Sequence, residues 1–562
     1  MIRKLLAGLA CISLVSCKPA QPQTQWPGFV QQTVGHYFEL NPDFAVSKGD
    51  HSYDGKLPDW SEAGLRAQAD FLHKVIRDAQ AYTDLDEANA FERAHLVQQM
   101  KGELFFLEDA DDPHHNPSYY IGTLDPNVYI SRDYADKPTR MKALTAFFTQ
   151  VPQAAREIRA NLEMPMPATY FKLGIAGFGG LADYYENDAR QAFADVDAPE
   201  VQQRFKVASA KAAKAMRELA DWLKSEQPNA TQDFALGPEK FGKMLKATED
   251  VDIPLDRLMQ IARENLAKDQ AAAKEACAKY APGLSVKQCI AKANDDKPAE
   301  GPVEAARKQV PELTAFVKQH DLVSIPGTEQ ALVRESPPYN RQNIAYMNPP
   351  GPLEHGIPSI YYISPPDPAW SPKVQHDYLP GKDMLLFFTV HEVMPGHFLQ
   401  FLHSNRSKSL IGRLFVGYGF AEGWAHYAEQ LMWDAGLGDG DPEVHLGQLH
   451  EALERDCRFI SAIGLHTQAM TVEQSKELFM NQCYLDEGAA EQQAARGTYD
   501  PEYLNYTLNK LMIVKLRDDW TASRGGRKAW KAFHDKFLSF GGPPVPLVRQ
   551  AMLGESEPGT GL

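Results

Sequence analysis

Within one apolar stretch, Gly381 to Gln400 (GKDMLLFFTVHEVMPGHFLQ), stand three side chains suited to metal binding and proton transfer: His391, Glu392 and His397. Two imidazoles can hold a zinc ion while a carboxylate beside them handles protons. Histidines sharing an ion from one helix usually lie four apart, on one face. His391 and His397 lie six apart, and an ideal helix of about 3.6 residues per turn rotates them away from each other. Pro395 offers a remedy, since it has no N–H for the His391 carbonyl and its ring crowds that oxygen. The expectation is a helix that bulges between the two histidines, eased by Gly396, so that both rings return to one side.

A third ligand is then required. Glu422 follows His397 by 25 residues, enough for one helix to end and a second to pack across it. Glu422, His426 and Glu429 repeat at helical spacing within Ala421-Glu422-Gly423-Trp424-Ala425-His426-Tyr427-Ala428-Glu429, so they share a face. The reading takes Glu422 as ligand, with His426 and Glu429 orienting the ligands from behind. Two His and one Glu leave a fourth zinc position open to water, which marks a catalytic rather than a structural site. Glu392 would be the general base on that water and later the proton donor to a leaving amine. Gln400 is placed to hydrogen-bond a ligand or the substrate, and His403 is the alternative histidine ligand. An oxyanion donor completes the set. Arg455, Arg458, His466 and Tyr506 are the candidates; Tyr506 and His466 are preferred because each arginine has acidic neighbours, Glu454 and Asp456, to pair with.

The elements that must carry these residues are mostly helices. Helical spacing of apolar residues recurs through Ala67–Tyr82, Ala90–Leu107, Arg140–Asn161, Tyr170–Glu186, Pro199–Ser225 and Pro254–Ala281. It returns from Leu414 to Phe540, where Thr471 and Gln474 form a capping-box start. Asn41–Trp60 and Asp109–Lys137 read as loops. Between residues 337 and 380 lie 11 of the chain's 39 prolines, which excludes long helices there. Within that segment Ile357–Ile363 is the best strand. Its Pro358 suggests a sheet edge, either a two-stranded ribbon or an edge that pairs with an extended peptide, which assigns Tyr361 and Tyr362, together with Arg458, to substrate binding. The fold class is therefore mainly α: one large helical unit over residues 18–562, of one or two lobes around a cleft, with a small β-ribbon near the metal helix.

Composition narrows the function classes. Hydrophobic residues at 43 % and charged residues at 23 % exclude disorder as the main state, and a net charge of −16 speaks against a nucleic-acid partner. Residues 1–17 read as a lipoprotein signal: Arg3 and Lys4, the apolar run Leu5–Val15, then Leu14-Val15-Ser16-Cys17, which resembles a bacterial lipobox with Cys17 as the lipidated residue. That predicts a bacterial envelope protein facing the periplasm, held at a membrane only by its lipid; Lys18 favours the outer membrane. With Cys11 lost in the signal and Cys17 taken by lipid, four of the six cysteines remain. The two short-range pairings, Cys277 with Cys289 and Cys457 with Cys483, are preferred.

The motifs H-E-x-x-P-G-H-x-x-Q (His391–Gln400) and E-G-W-A-x-Y-A-E (Glu422–Glu429), with Gly464-Leu465-His466 and the Tyr506–Arg517 helix, resemble the bacterial domain of unknown function 885 family. Gly49–Ser61 and Leu236-Gly237 extend the likeness over nearly the whole mature chain. The resemblance implies a Glu-zincin metallopeptidase, distantly similar to angiotensin-converting enzyme and the carboxypeptidase Taq group, which keep an uninterrupted H-E-x-x-H. His426 departs from the apolar residue that pattern implies. The function expected is a Zn²⁺-dependent hydrolase of amide bonds in short peptides, such as a carboxypeptidase or dipeptidase. An amidase on N-acylated amino acids and a peptide-binding lipoprotein without turnover are the alternatives; the oligomeric state is left open.

Overall fold

The structure, a computed structural model, describes residues 25–337, 341 and 344–562. The signal segment, with Cys11 and Cys17, lies outside the described residues. The architecture is mainly α, and several helices begin where the sequence provides a cap. Ser61, Asp86 and Asp136 each accept a backbone N–H from three residues on, starting the helices Glu62–Gln80, Glu87–Leu104 and Lys137–Asn161. Thr471 and Gln474 form the reciprocal box at the start of Val472–Gln482.

Several readings change at the level of elements. Asp109–Lys137 is not all loop, since it holds the short helices Asp112–His115, Ser118–Ile121 and Asn127–Ser131. Asn41–Trp60 is not wholly loop, because Pro42 sits in the first turn of a short helix, Pro42–Ser47. Pro254 caps Leu255–Tyr280 from outside instead of entering its first turn. The sequence reading also lacks the helices Val286–Asp295, which has a complete Ser285/Gln288 capping box, Pro372–Tyr378 and Val545–Leu553.

Two hydrophobic cores organise the chain. One is built from residues between Trp26 and Leu223, the other chiefly from residues between Phe241 and Met552. The segment just after Gly381–Gln400 crosses between them: Ile411, Leu414 and Phe415 are buried in the first core, where Phe415 stacks on Phe44 at 5.1 Å. The histidine-bearing element is thereby fastened to both cores.

The small sheet has three strands, β1 (Ala331–Glu335), β2 (Ala345–Asn348) and β3 (Ser359–Ile363), in the order β1-β3-β2. β3 runs parallel to β1, with Val333 opposite Tyr361, and antiparallel to β2, with Met347 opposite Tyr361. The expectation of an edge strand at Ile357–Ile363 is thus overturned. Pro358 precedes the first paired residue, so it removes no ladder hydrogen bond, and all five residues of β3 are buried. Tyr361 and Tyr362 have no open edge to offer a substrate.

Bonds join Cys277 to Cys289 and Cys457 to Cys483. The first ties Leu255–Tyr280 to Val286–Asp295. The second ties the end of Val472–Gln482 to the long helix Pro442–Thr467. Among the described residues no helix is long and apolar enough to cross a membrane.

Candidate metal centre

The Lys382–Glu392 helix stops after Glu392 and a new helix, His397–Ser404, starts at the second histidine. The bulge expected there is instead a break, spanned by Val393, Met394, Pro395 and Gly396 with a cis bond between Met394 and Pro395. Gly396 donates its N–H to the Val390 carbonyl at 3.0 Å, satisfying the first helix's exposed end. A Cβ on Gly396 would lie 1.8 Å from the His391 oxygen, so no other residue fits. Trp424 donates its indole N–H to the Pro395 carbonyl at 2.9 Å and fixes the break against the Glu422 helix, Tyr418–Asp434.

This break brings the imidazoles together, with ring centroids 4.7 Å apart and planes at 89°. Nε2 of His391 and Nε2 of His397 stand 3.3 and 3.4 Å from the same oxygen, Oε2 of Glu422. Those contacts lack hydrogen-bond alignment, and the buried Oε2 is left without a hydrogen-bond partner. Three donor atoms within 4.8 Å of one another, all facing one point, suit a divalent ion held by two nitrogens and one oxygen. Among the described residues this is the single group of its kind.

The surroundings fix which atoms face inward. Glu429 is completely buried and its Oε1 lies 2.6 Å from Nδ1 of His391. Nδ1 therefore carries the proton and donates it, which turns the Nε2 lone pair toward the ion site. Glu429 Oε2 takes a second bond, from Nδ1 of His426 at 3.2 Å, and Arg455 Nη2 lies 3.4 Å from Oε1. Burial opposes ionisation of Glu429, but Arg455 and the two histidines hold it well below the usual carboxylate range. His426 stays neutral, because burial and the Lys510 charge push it down to about 3. At His391, burial is outweighed by the nearby carboxylates of Glu422 and Glu429, which push the metal-free imidazole up to about 9. An ion must therefore displace a proton to bind.

Tyr506 also belongs to the site. Its ring lies 6.4 Å from that of His391, at 22°, and the Glu422 charge helps burial to raise its pKa. The approach depends on Gly423, where a Cβ would come within 2.3 Å of Asn509 Cβ; without one, the Glu422 helix packs closely on Asn505–Ala522. Arg455, Arg458 and Arg496 place their guanidinium carbons 5.5, 4.8 and 5.9 Å from the Tyr506 ring. The pairing foreseen for the arginines is partly realised. Arg458 bonds Glu454, and also Gln493 at 2.9 Å. Arg455 reaches Glu451 at 2.7 Å, while Asp456 turns away to Asn265 and Thr507.

Other candidates lie elsewhere. His466 is eleven residues past Arg455 on the same helix, roughly 16 Å along its axis. Both of its nitrogens are taken: Nδ1 accepts from the Leu236 N–H at 3.3 Å, and Nε2 pairs with the Gly497 carbonyl at 2.8 Å. It is a structural residue and leaves the site. Gln400 donates to Ser404 at 2.8 Å instead of to a ligand. His403 is bound to the Ser324 carbonyl at 2.8 Å and is no ligand. Glu392 ends its helix partly exposed, and its charge is felt at the buried Tyr361 hydroxyl. Tyr418 and Arg496 were not anticipated. Tyr418 had a readable signal, since it precedes Glu422 by one helical turn and so shares its face.

The family model described as "Bacterial protein of unknown function (DUF885)" matches residues 42–552. The chain belongs to this family. A candidate lipoprotein of unknown function from Shewanella oneidensis is similar in structure, at 24% identity and a TM-score of 0.77, covering 94% of this chain and 99% of that one. A candidate lipoprotein from Colwellia psychrerythraea shares 16% identity with a TM-score of 0.79, covering 95% and 98%. These likenesses show the fold. No curated protein matches the chain.

Proposed function

We propose that this DUF885 protein is a metal-dependent hydrolase of amide bonds in short peptides, and that zinc is the ion. The observation that carries the reading is the convergence of His391 Nε2, His397 Nε2 and Glu422 Oε2 on one point, with Glu422 Oε2 buried and otherwise unpartnered. A zinc ion held there would supply Lewis acidity, polarising an amide carbonyl and making water more acidic. The protein's own groups do the rest. Glu392, next to His391, takes the water proton and hands it to the leaving amine. Tyr506 donates its hydroxyl proton in a hydrogen bond to the carbonyl oxygen as negative charge grows on it. Glu429 holds His391 in the productive tautomer.

The peptide backbone has a place to lie other than β3. β2 packs against the helix that carries His391, and its outer edge pairs with no strand among the described residues. An extended substrate adds there as a further strand. Lipidation of Cys17 would keep the enzyme at the outer membrane, facing the periplasm; the lipoprotein descriptions of both similar structures support this. Labelled fatty acid should enter the wild type and not Cys17→Ala.

Elemental analysis of purified protein, with a peptide library profiled by mass spectrometry, tests the central reading. The wild type should hold about one zinc per chain and His391→Ala none, while Glu392→Gln should keep zinc and lose turnover. A wild type without metal, or a fully active Glu392→Gln, would overturn it.

A further inference from the structure

Arg496 stands at the site with donors to spare. It lies in the last turns of the helix Glu487–Tyr499, on the face that also presents Gln493 to Arg458. Its Nε donates to Asp500 at 2.8 Å and its Nη2 donates to the Tyr418 hydroxyl at 2.9 Å. Its guanidinium also lies over the Tyr506 ring. A guanidinium has five N–H groups in a rigid fork, so these contacts do not exhaust it. Arg455 and Arg458, by contrast, are buried against Glu451, Glu429 and Glu454. Arg496 is about a quarter exposed, at 28%.

Its partners tie it to the metal centre. Tyr418 is one helical turn before Glu422, and Tyr506 stacks on His391. The guanidinium carbon is 5.9 Å from the Tyr506 ring, which is itself 6.4 Å from the His391 ring. Arg496 can thus be no farther from His391 than those two lengths placed end to end, the reach of about three extended residues at roughly 3.5 Å each. A planar, always-charged fork at that reach suits a carboxylate, which it can grip through two parallel hydrogen bonds.

We propose that Arg496, with the Tyr418 hydroxyl beside it, binds the free α-carboxylate of the substrate, so that the enzyme acts within about three residues of a peptide's C-terminus. The proposal rests on the hydrolase reading for the position of the scissile bond. An interior segment of a long chain has no α-carboxylate to offer. An N-acylated amino acid has one and is a substrate of the same class.

The test compares N-acetyl tripeptides as free acids with the same sequences as C-terminal amides, and includes amides ending in Glu. Binding is measured by calorimetry to zinc-loaded Glu392→Gln full-length protein, and cleavage by mass spectrometry with wild type. Free acids should bind at least tenfold tighter than amides. Arg496→Gln, added to the same background, should close that gap by weakening the acids and leaving the amides unchanged; Arg496→Lys should restore part of it. Equal binding of acids and amides overturns the proposal, as does Glu-terminated amide binding like the free acid, which would assign the guanidinium to side chains. Should Arg496→Gln fail to fold by circular dichroism, the acid-to-amide ratio in the Arg496-containing protein decides alone. Selective binding without any cleavage by wild type would retain the anchor and remove the peptidase. Cleavage that ignores the C-terminus would do the reverse.

Discussion

Glu429 lies behind His391, with Oε1 2.6 Å from the ring Nδ1, and the same carboxylate reaches His426 and Arg455. One buried anion thus sets the tautomer of a ligand and is itself held by two donors. Replacing the charge while keeping the shape isolates that role. Glu429→Gln should lower zinc affinity ten- to a hundredfold, the usual cost of losing a ligand's orienting partner. Competition against a chromogenic chelator measures it; unchanged affinity would show that His391 needs no such support.

Tyr506 offers a different separation. It feels the Glu422 charge, but its ring stands 6.4 Å from the His391 ring, beside the His391, His397 and Glu422 group. Tyr506→Phe should therefore retain zinc while kcat falls by a factor of about 10² to 10³, the range for removing one oxyanion donor. A fall in KM-related binding alone, with kcat intact, would reassign the hydroxyl to substrate positioning.

Gly396 tests the break between the helices that carry His391 and His397. With the His391 oxygen 1.8 Å from the ideal Cβ position, Gly396→Ala must push backbone against backbone. The expected loss is about 1–3 kcal/mol, the range for overpacking a filled site, and His397 should be displaced with it. Thermal unfolding and zinc content should therefore fall together. A variant that binds zinc normally would mean the linker can be rebuilt around a methyl group.

The legible parts of this site were those with local signatures. Glu422 and Glu429 were readable because a helix puts i and i+7 on one face, and His391 with His397 because Pro395 forbids a continuous helix between them. The form of the interruption was not readable, since a bulge and a full break both satisfy Pro395; Trp424, contributed from another helix, holds the break in place. His466 misled for the converse reason. Its neighbours in sequence say nothing of Leu236 and Gly497, which occupy its two nitrogens. β3 was misplaced because Pro358 marks an edge only when it lies inside the paired stretch, and pairing begins one residue later. Arg496 needs Tyr418 and Tyr506 beside it, a meeting of three helices that no spacing rule encodes.

His51, in the Gly49–Ser61 stretch, provides a pH test away from the candidate metal centre. Nδ1 lies 3.0 Å from Asp54 and Nε2 lies 3.1 Å from Glu354, while the ring stacks 3.5 Å from Tyr134. Glu354 also receives Arg132 at 2.9 Å, so the cluster pins the loop between β2 and β3 to the first core's helices. Burial opposes charging of His51, but the bonds to Asp54 and Glu354 prevail and push it up to about 9, from an ordinary 6.5. The folded pKa is the higher one, so the stabilisation is complete below about 6.5 and is lost as pH rises through about 9. After discounting for partial solvent exposure it is worth about 1–2 kcal/mol. Comparing the melting temperatures of wild type and His51→Gln should reveal a gap of about 1–2 °C at pH 6 that narrows toward pH 9.5. A gap that does not change with pH would show that His51 stabilises through its stacking on Tyr134 and not through its charge.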